Sequence, residues 1–224
     1  MQFCYNLLAY LIIQNGAKMN FRPRSKDTNL LTTSILTILA ILLNVVFVYA
    51  VSKLNLIVFL DTIFTVALTF YAGLVPGLIA AAVYNPIMTL IYCAENGTEI
   101  FYFDFLYLIC GMLIVLTTWA FSRNKKEFHS STLITILYLL TITIVSSLVS
   151  CISASVLDTF VRPLFGKTSP FGPIEDFSSV FQHFNFGHFL SFLLPRIPIT
   201  VLDRLICTFA GYGIYRLLSK ATHR

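Results

Sequence analysis

The sequence predicts an all-α membrane protein, and two observations carry that prediction: the composition of the chain and the length of its apolar runs. Of the 224 residues, 57% are hydrophobic and only 11% are charged, with a mean hydropathy of +0.82; a soluble domain has roughly 25% charged residues. Apolar segments of about 20 residues, the length of a membrane-spanning helix, take up nearly the whole chain. We therefore expect any function to lie within the bilayer or at its surface.

Six apolar segments are predicted to form transmembrane helices joined by short connections. They lie, within a few residues at each end, at 30–51, 54–71, 74–94, 101–121, 132–157 and 198–218. Residues 1–29 are expected to form a cytoplasmic amino-terminal segment, followed by a single six-helix domain over 30–224. The apolar stretch at 7–13 is too short to cross a bilayer, and Met19, before a basic flank, is a candidate for the true start.

The basic residues predict that both termini face the cytoplasm, because Lys and Arg accumulate in cytoplasmic loops. They cluster before the first span, between the fourth and fifth spans, and after the sixth. Together these clusters hold 10 of the 15 basic residues: Lys18, Arg22, Arg24, Lys26, Arg123, Lys125, Lys126, Arg216, Lys220 and Arg224. A six-span chain places all of them on one side, which a five-span chain would not. Topology thus accounts for the net charge of +5, and we do not expect nucleic acid as a partner.

The connection between the fifth and sixth spans, residues 158–196, is the longest and is expected on the outer side. Its phenylalanines recur at spacings of three to five residues, which fits one or two amphipathic helices lying on the outer face. They are Phe177, Phe181, Phe184, Phe189 and Phe192. Two interpretations stay open: a lid over an outward-facing site, or an interfacial segment that only fills space.

Polar and ionisable residues in or beside the apolar spans are the candidates for a binding site, because charge at membrane depth is costly and usually faces the protein interior or water. We predict nine substrate-binding residues: Asp61, Thr62, Thr65, Tyr84, Asn85, Asp158, Arg162, Asp203 and Arg204. Most of them fall toward the outer half of the predicted topology, which favours a polar pocket. The alternative is a buried polar network that locks the helices together.

Spacing indicates how some of these residues meet. Asp158 and Arg162, four residues apart, are expected to pair on one helical face. Asp203 and Arg204 are adjacent and point about 100° apart, so each is expected to meet a partner on another helix.

Small residues predict close packing at two places. Residues 73–77 form a very short inner turn, and the alanines that follow present a small surface to a neighbouring helix. Gly211 and Gly213 in the sixth span are expected to have the same role.

No catalytic, cofactor or metal site is predicted. The chain has no HExxH motif, no GxSxG turn and no P-loop. His183 and His188 lack a ligand pattern, and the five scattered cysteines are interpreted as small buried hydrophobic residues.

Several motifs together resemble the substrate-binding membrane subunits, or S components, of energy-coupling factor transporters. These are FLDTIFT at 59–65, GLVPG at 73–77 with Asn85 in the same hairpin, RPLFG at 162–166 and RIPITVLDR at 196–204. The similarity covers most of the chain from the first span onward and is strongest to poorly characterised members. Characterised members often carry an AxxxA pattern on the first helix, whereas that span here has only Ala40 and Ala50, which leaves open a shared or a dedicated coupling subunit.

The resemblance implies a six-helix subunit that captures a vitamin or another micronutrient from outside. Partners would then be a membrane coupling subunit and two cytoplasmic ATPases, so ATP would be hydrolysed by the partners and not by this chain. Two other functions stay open: a ligand-sensing membrane module that signals through a partner, and a structural membrane protein without a ligand. Because acidic and basic candidates occur together, the residues select neither a cation nor an anion as ligand.

Overall fold

The computed structural model describes residues 30–54, 58–123, 125–128, 130–165, 177–178, 180–181, 183 and 187–222, and all regular structure within these ranges is helical. The predicted amino-terminal segment, residues 1–29, lies outside the described residues. The helices are α1 (Leu30–Lys53), α2 (Ile63–Ala72), α3 (Leu74–Asn96), a 3-10 helix (Tyr102–Tyr107), α4 (Leu108–Ser122), α5 (Lys125–Phe128), α6 (Thr132–Val156), a π-helical turn (Leu157–Val161), a second 3-10 helix (Arg162–Phe165) and α7 (His188–Thr222).

Four helical segments are long and apolar enough to cross a membrane: Leu30–Lys53, Leu74–Asn96, Tyr102–Ser122 and Thr132–Phe165. The prediction of an all-helical, apolar chain is confirmed at this level, and the helices are consistent with a multi-pass membrane protein. The two remaining predicted spans differ. Helix α2 has 10 residues, and α7, with 35 residues, carries Arg196, Asp203 and Arg204 in its first half.

The helices run alternately up and down, which defines two ends of the bundle. At the Glu95 end, Lys53 pairs with Glu95, and Tyr107 and Arg196 contact Asp158. At the Phe128 end, the ring of Phe128 stacks on Phe70 and meets Tyr138 and Tyr212 edge-on, with centroids 5.5–5.8 Å apart. Within the bundle, α7 packs on α2 and α6, while α3 packs on α1 and α4.

The predicted second span, 54–71, is wrong at its start, because the helix begins only at Ile63. The described residues before it, 58–62, are not helical, and Leu60 is buried with a positive φ of 49°. Two distant side chains stabilise this conformation. The Leu60 N–H donates to Asp203 Oδ1 at 2.6 Å, and the Phe64 N–H donates to Asn44 Oδ1 at 3.1 Å. Irregular backbone inside a membrane protein needs such partners, since lipid offers none.

The predicted sixth span, 198–218, also begins too late. Helix α7 starts at His188 and includes Pro195 and Pro198, so Phe189 and Phe192 belong to it and not to a separate loop helix. A proline removes one helical hydrogen bond but leaves an otherwise well-packed helix intact in many membrane proteins. Phe177 and Phe181 are described and helical, while Phe184 and residues 166–176 of the predicted outer loop lie outside the described residues. The lid stays a prediction.

Glycine packing is confirmed at two positions and wrong at a third. A Cβ on Gly77 would lie 2.3 Å from Thr69 Oγ1, and one on Gly211 would lie 2.9 Å from the Ile63 carbonyl oxygen. A Cβ on Gly213 would meet nothing within 4 Å. The predicted turn at 73–77 is in fact a single residue, Gly73, whose φ of +94° is one that glycine adopts without steric cost.

Candidate functional site

A cavity of about 410 Å³ lies inside the bundle and is lined by residues of α1, the 58–62 segment, α2, α3, α4, α6, α7 and both 3-10 helices. Eight of the nine residues predicted to bind substrate line it: Asp61, Thr62, Thr65, Tyr84, Asn85, Arg162, Asp203 and Arg204. The ninth, Asp158, is buried behind the wall and contacts Arg162 and Arg196, which do line the cavity. That these residues bind a substrate stays a prediction.

Helical spacing explains how the walls are built. On α7, Arg196, Thr200 and Asp203 follow one another at four and three residues, so they share one face. On α3, Tyr84 and Met88 share a face in the same way, four residues apart. Arg196 and Asp203 are seven residues apart, or about 10 Å along the helix axis. The cavity therefore follows α7 for two turns and has a charged group at each end of that distance.

The first group, here called the Arg204 cluster, consists of Asp61, Thr62, Asp203 and Arg204. Arg204 Nη2 donates to Asp61 Oδ1 at 2.6 Å and also contacts the Asp203 carboxylate, while Nη1 contacts the Thr62 hydroxyl. Asp203 and Arg204 each meet a partner on another segment, as expected, since Arg204 contacts Asp61 and Asp203 accepts from the Leu60 N–H, and they also contact each other. The 100° between adjacent positions concerns the Cα–Cβ directions, and the long arginine side chain folds back across that angle.

Burial within the Arg204 cluster is uneven. The Asp203 side chain is fully buried and that of Arg204 is 4% exposed, whereas that of Asp61 keeps 30% of its surface accessible. With two carboxylates and one guanidinium, the cluster has a formal charge of 1 − 2 = −1. The group that reaches the cavity most freely is therefore a carboxylate.

The second group, here called the Asp158 cluster, joins Asp158 to Tyr107, Arg162 and Arg196. The Tyr107 hydroxyl donates to Asp158 Oδ1 at 2.6 Å, Arg162 Nη1 lies 3.7 Å from the same oxygen, and Arg196 contacts Oδ2. The predicted pairing of Asp158 with Arg162 is confirmed. It occurs where α6 gives way to the π-helical turn Leu157–Val161, a local change of helix type that is frequent at functional sites.

Aromatic rings flank both guanidiniums of this cluster. The Arg162 guanidinium carbon lies 5.9 Å from the centroid of Phe103, and that of Arg196 lies 5.9 Å from the centroid of Tyr107. Contacts of this kind stabilise a cation on the face of a ring. They also fix the orientation of two long side chains at the Glu95 end of the cavity.

Reasoning from the sequence missed further residues that line the cavity or contact those that do, and three of them illustrate why: Arg196, Tyr107 and Asn44. Arg196 was taken as the end of a loop, although its distance of seven and eight residues from Asp203 and Arg204 signals a shared helix face. Asn44 had a signal too, because an amide in the middle of a largely apolar helix is expected to seek a partner. Tyr107 had none, since it is one of several aromatic residues in an aromatic stretch.

Two further sequence predictions concern metal ligands and cysteine thiols. Among the described residues, no group of three or more His, Cys, Asp or Glu side chains has an arrangement that could hold a metal ion. Cys93, Cys110, Cys151 and Cys207 are buried and unlinked, as expected for small hydrophobic residues; Cys4 lies outside the described residues.

The chain matches no protein-family model, no curated protein and no solved structure. Its class is therefore defined by geometry alone. The protein is a bundle of apolar helices, several of them long enough to span a membrane, around a polar cavity with two charged clusters.

Proposed function

We propose that this protein is a membrane-embedded receptor that binds a small polar molecule and passes it across the membrane together with partner subunits, as the S components it resembles do. One observation supports the proposal most directly. Buried charged side chains, rare in a chain with 11% charged residues, surround a single cavity of about 410 Å³. Pockets that bind small molecules have this volume and combine apolar walls with a few convergent polar groups.

The cost of this arrangement supports a ligand. Each charge removed from water carries a desolvation penalty that an ion pair offsets only in part, and unfilled volume in a core is destabilising. A network whose only role is to hold helices together needs the ion pairs but not the space between them. The cavity is the feature that a purely structural role leaves unexplained.

The distribution of basic residues supports a direction of transport. If the 10 clustered Lys and Arg residues face the cytoplasm, the Glu95 end of the bundle faces outward and the Phe128 end inward. The Asp158 cluster would then lie near the outer mouth of the cavity, with the Arg204 cluster two helical turns further in. A ligand would enter from outside, and a membrane coupling subunit with two cytoplasmic ATPases would supply the energy.

A structural role has one observation in its favour, namely that Asp61, Asp158 and Asp203 each already contact an arginine. Under that alternative, the carboxylates would serve the helices and no molecule would occupy the space. The two functions differ in what the purified protein carries and in which proteins accompany it.

Purification of the tagged full-length chain from its native membrane distinguishes these functions. We expect native mass spectrometry to detect a bound small molecule that is released on unfolding, and we expect a membrane subunit and ABC-type ATPases to co-purify. Cells without the protein should lose uptake of that molecule. A protein that carries no ligand, brings down neither partner and leaves uptake of every vitamin tested unchanged would contradict the proposal.

A further inference from the structure

We propose that the ligand of the cavity is an organic cation whose positive group binds at Asp61; this inference rests on the proposed function. It starts from the formal charge of the cavity wall. Among the described residues, the cavity lining and Asp158 contribute three arginines and four aspartates, a sum of 3 − 4 = −1 with all groups ionised: Arg162, Arg196, Arg204, Asp61, Asp104, Asp158 and Asp203. A ligand with one positive group would balance this charge.

The uncompensated negative charge lies in the Arg204 cluster. There, Arg204 is shared between two carboxylates, and Asp203 is further held by the Leu60 N–H. At the other end of the cavity, Arg162 and Arg196 meet Asp158, and Asp104 adds a second carboxylate to the wall three residues before Tyr107. Among the residues that the structure describes at that end, two guanidiniums and two carboxylates balance and leave no excess charge to attract an anion.

Accessibility points to the same group. Within the Arg204 cluster only the Asp61 side chain is substantially accessible, with 30% of its surface exposed against 4% for Arg204 and none for Asp203. A molecule that reaches the Arg204 cluster therefore meets the Asp61 carboxylate before the guanidinium of Arg204. In a water-poor site, a charge-assisted hydrogen bond to this carboxylate would be stronger than a neutral one.

The local fold favours a carboxylate at this position. Asp61 lies two residues before Ile63, the first residue of α2, and a helix amino terminus interacts favourably with negative charge. The backbone around it is strained, since Leu60 has a φ of +49°, a conformation that bulky side chains rarely adopt. Strain of this kind persists where surrounding contacts enforce it, often at ligand sites.

The body of the ligand meets apolar and aromatic walls. Tyr84, Met88 and Tyr92 line one side of the cavity, and Phe59 lines it next to the Arg204 cluster. Aromatic faces attract cations and stack on flat rings. The cavity thus suits a nitrogen cation attached to an apolar or aromatic body.

Three probes that share a phenylethyl body and differ in the end group test the inference: protonated 2-phenylethylamine, neutral 2-phenylethanol and anionic 3-phenylpropanoate, titrated into the purified protein. We expect the amine to bind about tenfold or more tightly than either of the others, as for a hydrogen bond to a charged partner. Asp61→Asn should abolish this preference, and Asp61→Glu should keep it. Glu95→Gln is the matched control: it removes a carboxylate that pairs with Lys53 outside the cavity lining and should leave the preference intact.

The inference is wrong if the three probes bind equally, if the anion binds best, if none binds, or if Glu95→Gln removes the preference as fully as Asp61→Asn does. Thermal unfolding of each variant separates loss of binding from loss of fold, and Asp61→Glu keeps the test valid if Asp61→Asn unfolds. A co-purified native ligand without a positive group would overturn this inference while leaving the proposed function standing. Absence of any co-purified ligand together with normal uptake would overturn the proposed function.

Discussion

Asn44 shows how much a single buried amide contributes to this bundle. Its side chain is fully buried; the amide Nδ2 donates to Thr65 Oγ1 at 2.7 Å, and Oδ1 accepts from the Phe64 N–H. Thr62, the residue that caps α2, makes no side-chain cap hydrogen bond. Asn44 therefore supplies from α1 the acceptor that a serine or aspartate cap would usually supply locally.

Replacement of Asn44 with leucine should destabilise the protein by about 1–3 kcal/mol, because the Phe64 N–H loses its acceptor in a buried position. Unfolding of the purified protein in detergent, followed by circular dichroism, measures the change. Thr37→Val is the matched control in the same helix. Thr37 is also buried, but its hydroxyl donates only to the Thr33 carbonyl oxygen within α1, so we expect a loss under about 1 kcal/mol. Equal losses for both variants would contradict the role given to Asn44.

Residues of this kind mark the limit of prediction at the residue scale. Burial cost makes Asp61, Asp203 and Arg204 conspicuous in the sequence, and all three line the cavity. Their partners are not conspicuous, because the Leu60 N–H and Asp203 are 143 positions apart. No local pattern contains information about a hydrogen bond over that separation.

At the scale of elements, α2 is the unusual one. Its 10 residues extend about 15 Å, half of the roughly 30 Å of a bilayer core. The 54–71 stretch is apolar enough to suggest a full span, yet the helix begins only at Ile63. This late start is possible because Asp203 accepts a hydrogen bond from the Leu60 N–H and Asn44 accepts one from the Phe64 N–H. The short helix places its amino terminus, and with it Asp61, beside the cavity.

The packing of α7 on α2 depends on Gly211, and Gly211→Ala tests it. The added Cβ would lie 2.9 Å from both the Ile63 carbonyl oxygen and Val66 Cγ1, so the helices must separate at a cost of about 1–3 kcal/mol. Gly213→Ala, two residues along the same helix, meets nothing within 4 Å and should be neutral or stabilising by up to about 1 kcal/mol. Thermal unfolding of both variants checks this; a similar change at both positions would contradict the packing role of Gly211, because helix propensity alone favours alanine over glycine at both.

At the scale of the whole molecule, the contacts place the two ends of the bundle on opposite sides, and thiol labelling tests whether those sides are the outside and the cytoplasm. Asn96 and Ser130 are both exposed, the first at the Glu95 end and the second at the Phe128 end. In a Cys4→Ser background, where the four described cysteines are buried, we expect a membrane-impermeant maleimide on intact cells to label Asn96→Cys and not Ser130→Cys. Permeabilised cells provide the control, since both variants should then react. The reverse pattern would contradict the proposed orientation.

The sequence by itself determined that this protein is a helical, apolar chain suited to a membrane, and it singled out the few charged residues that such a chain can hold only with partners. These are consequences of composition and of the cost of burying charge, which act wherever the residue lies. The tertiary structure alone decided where α2 and α7 begin, that Arg196, Tyr107 and Asn44 belong to the site, and that Asp61 is the accessible carboxylate of its cluster. Those features depend on hydrogen bonds and contacts between residues that are far apart in the sequence, and only the packed bundle brings these residues together.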